Sequence, residues 1–262
     1  MVTLWRLVLV AIVGIGVAAA ARQDAAPADL DAKLAAIETR GETIEDLTAS
    51  FEQHKHTALL REPMVSSGTV LVRGGRVLWE TKKPRPSMMG IEEERAIVLY
   101  PRQKAAEIYP LRGEMRLLGA SPLPRIAKLR EAFEIGETDA TDLLEAPRDG
   151  GGTRSLAPAE ALGLALTPRP GPMRDHIERV RALVDMAVPA LVAMEIVDVD
   201  GDRTIIRFSD IRTNQGLAER DVTLRLADDI EVSYPAGRPE AGPDEGAAKT
   251  SGETSGDREP LP

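Results

Sequence analysis

The chain carries three histidines, His54, His56 and His176, and no cysteine. His54 and His56 stand two apart on a run with strand character, so both point to one face, where a metal ion could bridge them. No cysteine and no suitably spaced carboxylate joins them, and two solvated histidines on an exposed strand face are the better reading. Asp198-Val199-Asp200-Gly201-Asp202 resembles part of a calcium loop but lacks its third aspartate spacing and its distal bidentate glutamate, which leaves a β-turn. Glu92–Glu94 could pair for acid–base work, although a run of like charges is more simply a solvated turn. A GxSxG elbow, a phosphate-cradling glycine loop and an HExxH helix are all missing from the sequence. The expectation is a protein that is not an enzyme and holds neither cofactor nor metal. Without cysteine the sequence also has no disulfide, no thiolate chemistry and no acylated lipoprotein N-terminus.

The elements that would position any binding residues are mostly strands. Leu30, Leu34 and Ile37 fall at helical spacing, with Gly41 as a stop, and predict a helix over Asp31–Arg40. Leu47, Ala49 and Phe51 then alternate with polar residues, the period of a half-buried strand. A turn around Pro63–Gly68 leads into Thr69–Arg73, and Gly74-Gly75 joins that run to Arg76–Lys82 as a hairpin. Ala96–Tyr100 and Lys104–Tyr109 make a second pair broken by Pro101. Pro122–Phe133 places Ile126, Leu129 and Phe133 on one helical face, with Pro124 suited to the first turn. After a glycine-rich stretch at Asp149–Gly152, strands return at Leu162–Leu166, Ile177–Asp185 and Leu191–Val199. Asp200-Gly201 turns the chain into Arg203–Ile211, and Val222, Leu224 and Leu226 alternate as a last strand. Roughly ten strands in hairpin order, with one N-terminal and one central helix, predict a mainly β fold. It is an open (half) antiparallel β-barrel, with a β-sandwich as the structural alternative.

The termini set a compartment. Met1–Arg6 is a short basic head, Leu7–Val17 is apolar, and Ala18–Ala21 are small residues before Arg22-Gln23-Asp24. This order predicts a signal peptide over 1–21, because the apolar run is too short to span a bilayer; an N-terminal anchor is the alternative. A folded domain over 22–235 and a disordered acidic tail over 236–262 complete the expected organisation. The formal charge of −9 argues against nucleic acid as a partner. A soluble, exported monomer is the expectation.

Several stretches, in order, resemble the LolA family of periplasmic lipoprotein carriers. Ala49-Ser50-Phe51-Glu52-Gln53 matches a strand ending in Phe-x-Gln, and Ser67–Glu80 matches a hairpin with a tryptophan at Trp79. Lys83-Pro84-Arg85-Pro86 matches Lys-Pro-x-Pro, and Asp200–Asn214 matches the closing hairpin. The series spans about half of the chain that follows the signal. Gly74 departs from the family's turn proline, Glu93-Glu94-Arg95 from Asp-Gly-Lys, and Val98 from a tryptophan. The resemblance implies an apolar cavity for acyl chains, lined here by Phe51, Val70, Val72, Val77, Trp79, Ile206 and Phe208; the alternative is that these residues form a filled core. Ile126 and Leu129 would face the cavity from a central lid helix. It implies that Arg73, beside the hairpin turn, latches the lid. The competing role is a solvated arginine paired with Glu80 or another nearby carboxylate. The partners implied are acylated lipoproteins, an inner-membrane ABC-type lipoprotein release complex and an outer-membrane acceptor. The same fold also occurs at the N-terminus of a periplasmic regulator of envelope stress, so a sensor or binding protein without a transfer role is the alternative.

Overall fold

The computed structural model describes residues 27–92, 94–111, 121–145 and 161–237. The expected signal peptide, the glycine-rich stretch at 149–152 and the tail beyond 237 lie outside the described residues. Helix α1, Pro27–Gly41, opens the chain and buries Leu34 and Ile37 as their spacing requires. Strands β1 (Asp46–His56), β2 (Met64–Arg73), β3 (Arg76–Lys83), β4 (Ser87–Ile91), β5 (Arg95–Tyr100) and β6 (Ala105–Pro110) follow as successive antiparallel neighbours. Helix α2, Ile126–Ala132, leads into β7 (Phe133–Glu137), β8 (Ala161–Pro168), β9 (Ile177–Asp185), β10 (Ala190–Asp198) and β11 (Arg203–Thr213). A three-residue strand, β12 (Glu231–Ser233), runs parallel to β6 at the sheet edge.

The described residues thus form one 12-stranded open sheet in the order β12-β6-β5-β4-β3-β2-β1-β11-β10-β9-β8-β7. The mainly β, open-barrel reading holds. Its seam is β1 against β11, where Phe51 stands opposite Phe208. One face, here the inner face, packs against both helices: Leu34 and Ile37 of α1 and Ile126 of α2 join Leu164, Val180 and Ala182 of the sheet.

Both sequence-marked turns appear as expected. Gly74 and Gly75 have φ of 56° and 83°, the left-handed region that a tight two-residue hairpin requires. Gly201 turns at φ 86°.

Five expectations need correction. The segment 64–68 is not a turn but the first half of β2, with a register shift between Ser67 and Gly68. Gly68 is required there: a Cβ would lie 1.9 Å from the Glu80 carbonyl oxygen and 3.0 Å from the Phe51 ring. Strand β4 was not anticipated, because Ser87-Met88-Met89-Gly90-Ile91 has little β-branching. The central helix stops before Phe133, whose backbone is extended (φ −129°, ψ 151°) and pairs with Pro168. Val222, Leu224 and Leu226 form no strand. They belong to an extended segment laid on the outer face, where Leu224 covers a row made by Leu78, Ile97 and Ile108. Twelve strands replace the expected ten.

Two anchors hold the outer-face segments. The buried Asp46 carboxylate accepts backbone N–H bonds from Gln215 (2.7 Å), Gly216 (2.9 Å) and Leu217 (3.0 Å) where the chain leaves β11. On the other half of the sheet, the 3-10 turn Thr141–Leu144 lies against β9 to β11 through Leu143, Leu183 and Val192. The chain reaches that turn by crossing β8 at Gly163, where a Cβ would meet the Thr138 carbonyl oxygen at 2.0 Å.

Candidate functional site

The site is built on the inner face of the β1–β3 and β11 strands. Strand parity puts Ala49 and Phe51 on one side of β1, and cross-strand register continues that row through Val70 to Trp79. Phe208 joins it across the seam. The structure brings all seven expected sheet residues, Phe51, Val70, Val72, Val77, Trp79, Ile206 and Phe208, into one apolar cluster, each buried. At its centre the Phe51 and Trp79 rings meet edge to face with centroids 4.7 Å apart, and Trp79 and Phe208 lie 5.8 Å apart. The indole Nε1 of Trp79 is buried with no hydrogen-bond partner among the described residues.

Ile126 and Leu129 are placed differently. They pack in the neighbouring cluster with Leu34, Ile37, Phe133 and Leu164, not among the seven. Leu191 and Met194 touch both clusters and make the inner face continuous. Met89, Ile91, Ala96 and Leu111 also belong to the site and were not singled out in the sequence. The first two lie on the unanticipated β4, so strand alternation gave no signal for them.

Arg73 lies on the Leu71 side of β2, opposite Val70 and Val72. Its Nη1 is 3.5 Å from Asp46 Oδ2, the carboxylate that holds the outer-face segment; Glu80 instead accepts from Thr69 at 3.2 Å. The lead-in to α2 does reach the adjacent turn, since a Cβ on Gly75 would stand 3.8 Å from Arg125 Nη2. The arginine whose fork ties backbone carbonyls is Arg207. Its Nε donates to Leu143 O (2.7 Å) and its Nη2 to Glu145 O (2.6 Å), and burial lowers its pKa from the ordinary value. Sequence parity placed it opposite Phe208 but gave no sign that the 141–144 turn would cover it.

The polar candidates fall outside this cluster. His54 is buried rather than solvated, and its Nε2 lies 2.7 Å from Glu52 Oε1. Asp198 and Asp202 close a turn as expected, with Asp198 Oδ1 accepting the N–H groups of Asp200 (3.1 Å) and Asp202 (2.8 Å). Burial raises the Asp198 pKa, and it lowers that of Lys55, whose Nζ is 4.0 Å from Asp202 Oδ2. Glu92 pairs with Arg95 at 2.8 Å. Among the described residues, no group of three or more His, Asp or Glu side chains could hold a metal ion. What the inner face offers a ligand is hydrocarbon contact.

No family model matches the chain. In sequence it is similar to the outer-membrane lipoprotein carrier protein of Dechloromonas aromatica (strain RCB), 28% identical over 175 residues, which cover 65% of this chain and 73% of that protein. Solved structures overlap more loosely. A conserved protein from Thermus thermophilus aligns with 79% of this chain and 99% of its own at TM-score 0.48 and 12% identity. A LolA superfamily protein from Nitrosomonas europaea aligns with 73% of this chain and 97% of its own at TM-score 0.37 and 12% identity.

Proposed function

We propose that this LolA-like chain, similar to the outer-membrane lipoprotein carriers, is a non-enzymatic binding protein. It holds the acyl chains of lipoproteins against its inner face and carries them across the periplasm. The observation that supports this most is the cluster of Phe51, Val70, Val72, Val77, Trp79, Ile206 and Phe208. These residues come from four strands and meet on one apolar surface, beside the cluster that the two helices cover.

Burial of acyl chains is favourable by about 0.8 kcal/mol per CH₂, so a ligand of ordinary chain length competes well with the protein's own contacts. In this reading Ile126 and Leu129 cover the second compartment. Helix α2 has the character of a movable cover: it is seven residues long and its N-terminus has no side-chain cap. Leu191 and Met194, shared by both clusters, are where the two compartments would communicate. Arg73 acts at the hairpin turn that the α2 lead-in touches. Loading would come from an inner-membrane ABC-type release complex and unloading would go to an outer-membrane acceptor. Among the described residues no helix is long and apolar enough to cross a membrane.

The test is to purify the protein from its native envelope and identify co-purifying species by mass spectrometry. Acylated proteins or peptides are the expected result. Recovery of the protein free of any acylated species, together with failure of the purified chain to bind a fluorescent fatty acid, would overturn the reading.

A further inference from the structure

Five of the seven exposed large hydrophobic residues among the described residues gather at one end of the sheet. Leu59 (67% exposed), Leu60 (49%), Met64 (49%) and Val65 (44%) form the tip of the β1–β2 hairpin, and Val199 (50%) lies on the adjoining β10–β11 turn. The hairpin stands proud of its neighbour. Pairing of β2 with β3 ends at Ser67 opposite Lys83, whereas β2 continues to Met64 and still pairs with β1 there. The tip therefore projects beyond the β3–β4 turn with no strand on that side.

Charge at this end runs against that of the protein. The chain carries −9 overall, but the tip and the β3–β4 turn present Arg61, Lys82, Lys83 and Arg85, all exposed, against the single acid Glu62. Lys82 is only loosely engaged, 4.0 Å from Glu80 Oε2. The next turn adds Arg102 and Lys104, the latter paired with Asp229 at 2.7 Å. The acidic Asp200 lies on the other side of the tip, towards β10. Aliphatic side chains projecting from a rim of cations match an anionic bilayer, whose headgroups attract the rim while its acyl boundary accepts the tip.

We infer that the β1–β2 hairpin tip, Leu59, Leu60, Met64 and Val65 with the Arg61, Lys82, Lys83 and Arg85 rim, is a docking element for an anionic lipid bilayer. This goes beyond the carrier reading and is independent of it. The inner face takes single acyl chains, whereas the tip meets the membrane surface.

The experiment uses the full chain without its signal segment and vesicles of phosphatidylethanolamine with phosphatidylglycerol, compared with phosphatidylcholine alone. The chain should float with the anionic vesicles, and raised salt should weaken binding. Leu59→Asp combined with Leu60→Asp should lower partitioning by about tenfold or more, and Lys82→Glu with Lys83→Glu should lower it for anionic vesicles only. Both pairs are solvent-facing, so unfolding midpoints should match the parent protein. Because the chain has no native cysteine, Leu59→Cys can carry a polarity-sensitive fluorophore, which should shift to the blue on anionic vesicles. Absence of flotation and of the blue shift, or wild-type partitioning by the tip variant, overturns the proposal. Fatty-acid uptake measured on the same tip variant should be unchanged, which separates failure of this proposal from failure of the carrier reading.

Discussion

Replacing Trp79 by phenylalanine tests whether the inner-face cluster is a dry apolar surface. The indole N–H is buried without a hydrogen-bond partner among the described residues, a situation that costs about 1–3 kcal/mol relative to a satisfied or absent donor. Phenylalanine removes that penalty. The smaller ring forfeits about 1 kcal/mol of transfer free energy and about 1 kcal/mol more for the space it leaves. The edge contact with Phe51, at 4.7 Å between centroids, can be kept by the new ring. The opposing effects nearly cancel, so Trp79→Phe should lie within about 1 kcal/mol of the parent protein. Trp79→Ala, which removes the ring, should cost about 3–5 kcal/mol. Urea unfolding followed by far-UV circular dichroism, with unchanged m-values, measures both. Uptake of a fluorescent fatty acid should survive Trp79→Phe and fall with Trp79→Ala. A loss above about 2 kcal/mol in Trp79→Phe would mean that the N–H is satisfied in solution, and the picture of an unbroken hydrocarbon surface would fail.

Arg73→Leu should leave fatty-acid uptake intact and slow hand-over to an acceptor in a reconstituted transfer assay; wild-type transfer would remove Arg73 from the mechanism. Asp46→Ala deletes the acceptor of three backbone N–H bonds and should cost about 2–4 kcal/mol, with faster proteolysis within residues 215–237 than elsewhere. The phenols of Tyr100 and Tyr109 give an alkaline limit. Burial, reinforced by Glu107, raises both, and Tyr100 is pushed up to about 12. The unfolded chain ionises near the ordinary value of 10.0 while the folded chain keeps its protons, so their contribution is complete below about pH 10 and falls as the pH rises toward about 12. Tyr100→Phe should flatten the decline of the urea midpoint across that window.

The strand ladder was legible where sequence period and turn chemistry agreed. Strand β9 occupies 177–185 as the alternation predicts, and the Gly74-Gly75 and Asp200-Gly201 turns fixed two hairpins. The seven sheet residues of the site followed from the resemblance and from parity within each strand. What escaped depended on distant neighbours. Val222 and Leu224 alternate in burial because an extended segment lies flat on a sheet, which gives the same period of two as a strand without any ladder of its own. Phe133 fits a helical face by spacing, yet extended pairing with Pro168 takes it into β7. His54 and Arg207 are polar types on the outer face, and their burial depends on long-range contacts that no local pattern encodes.

The seam between β1 and β11 also bears on how the molecule assembles. Strands β1 to β6 join by consecutive short connections, as do β8 to β11, so each half is a ladder of local contacts. The seam joins the first strand to one more than 140 residues later, with Phe51 registered against Phe208. Its closure joins contacts of far greater sequence separation than those within either half, and so carries the larger loop-closure entropy cost. Until it closes, the Phe51–Trp79 pair lacks Phe208 and that side of the apolar surface stays open to water. A chain synthesised from its N-terminus holds β1 to β6 ready well before β11 is made. Its most aggregation-prone interval is therefore the wait for the closing strand.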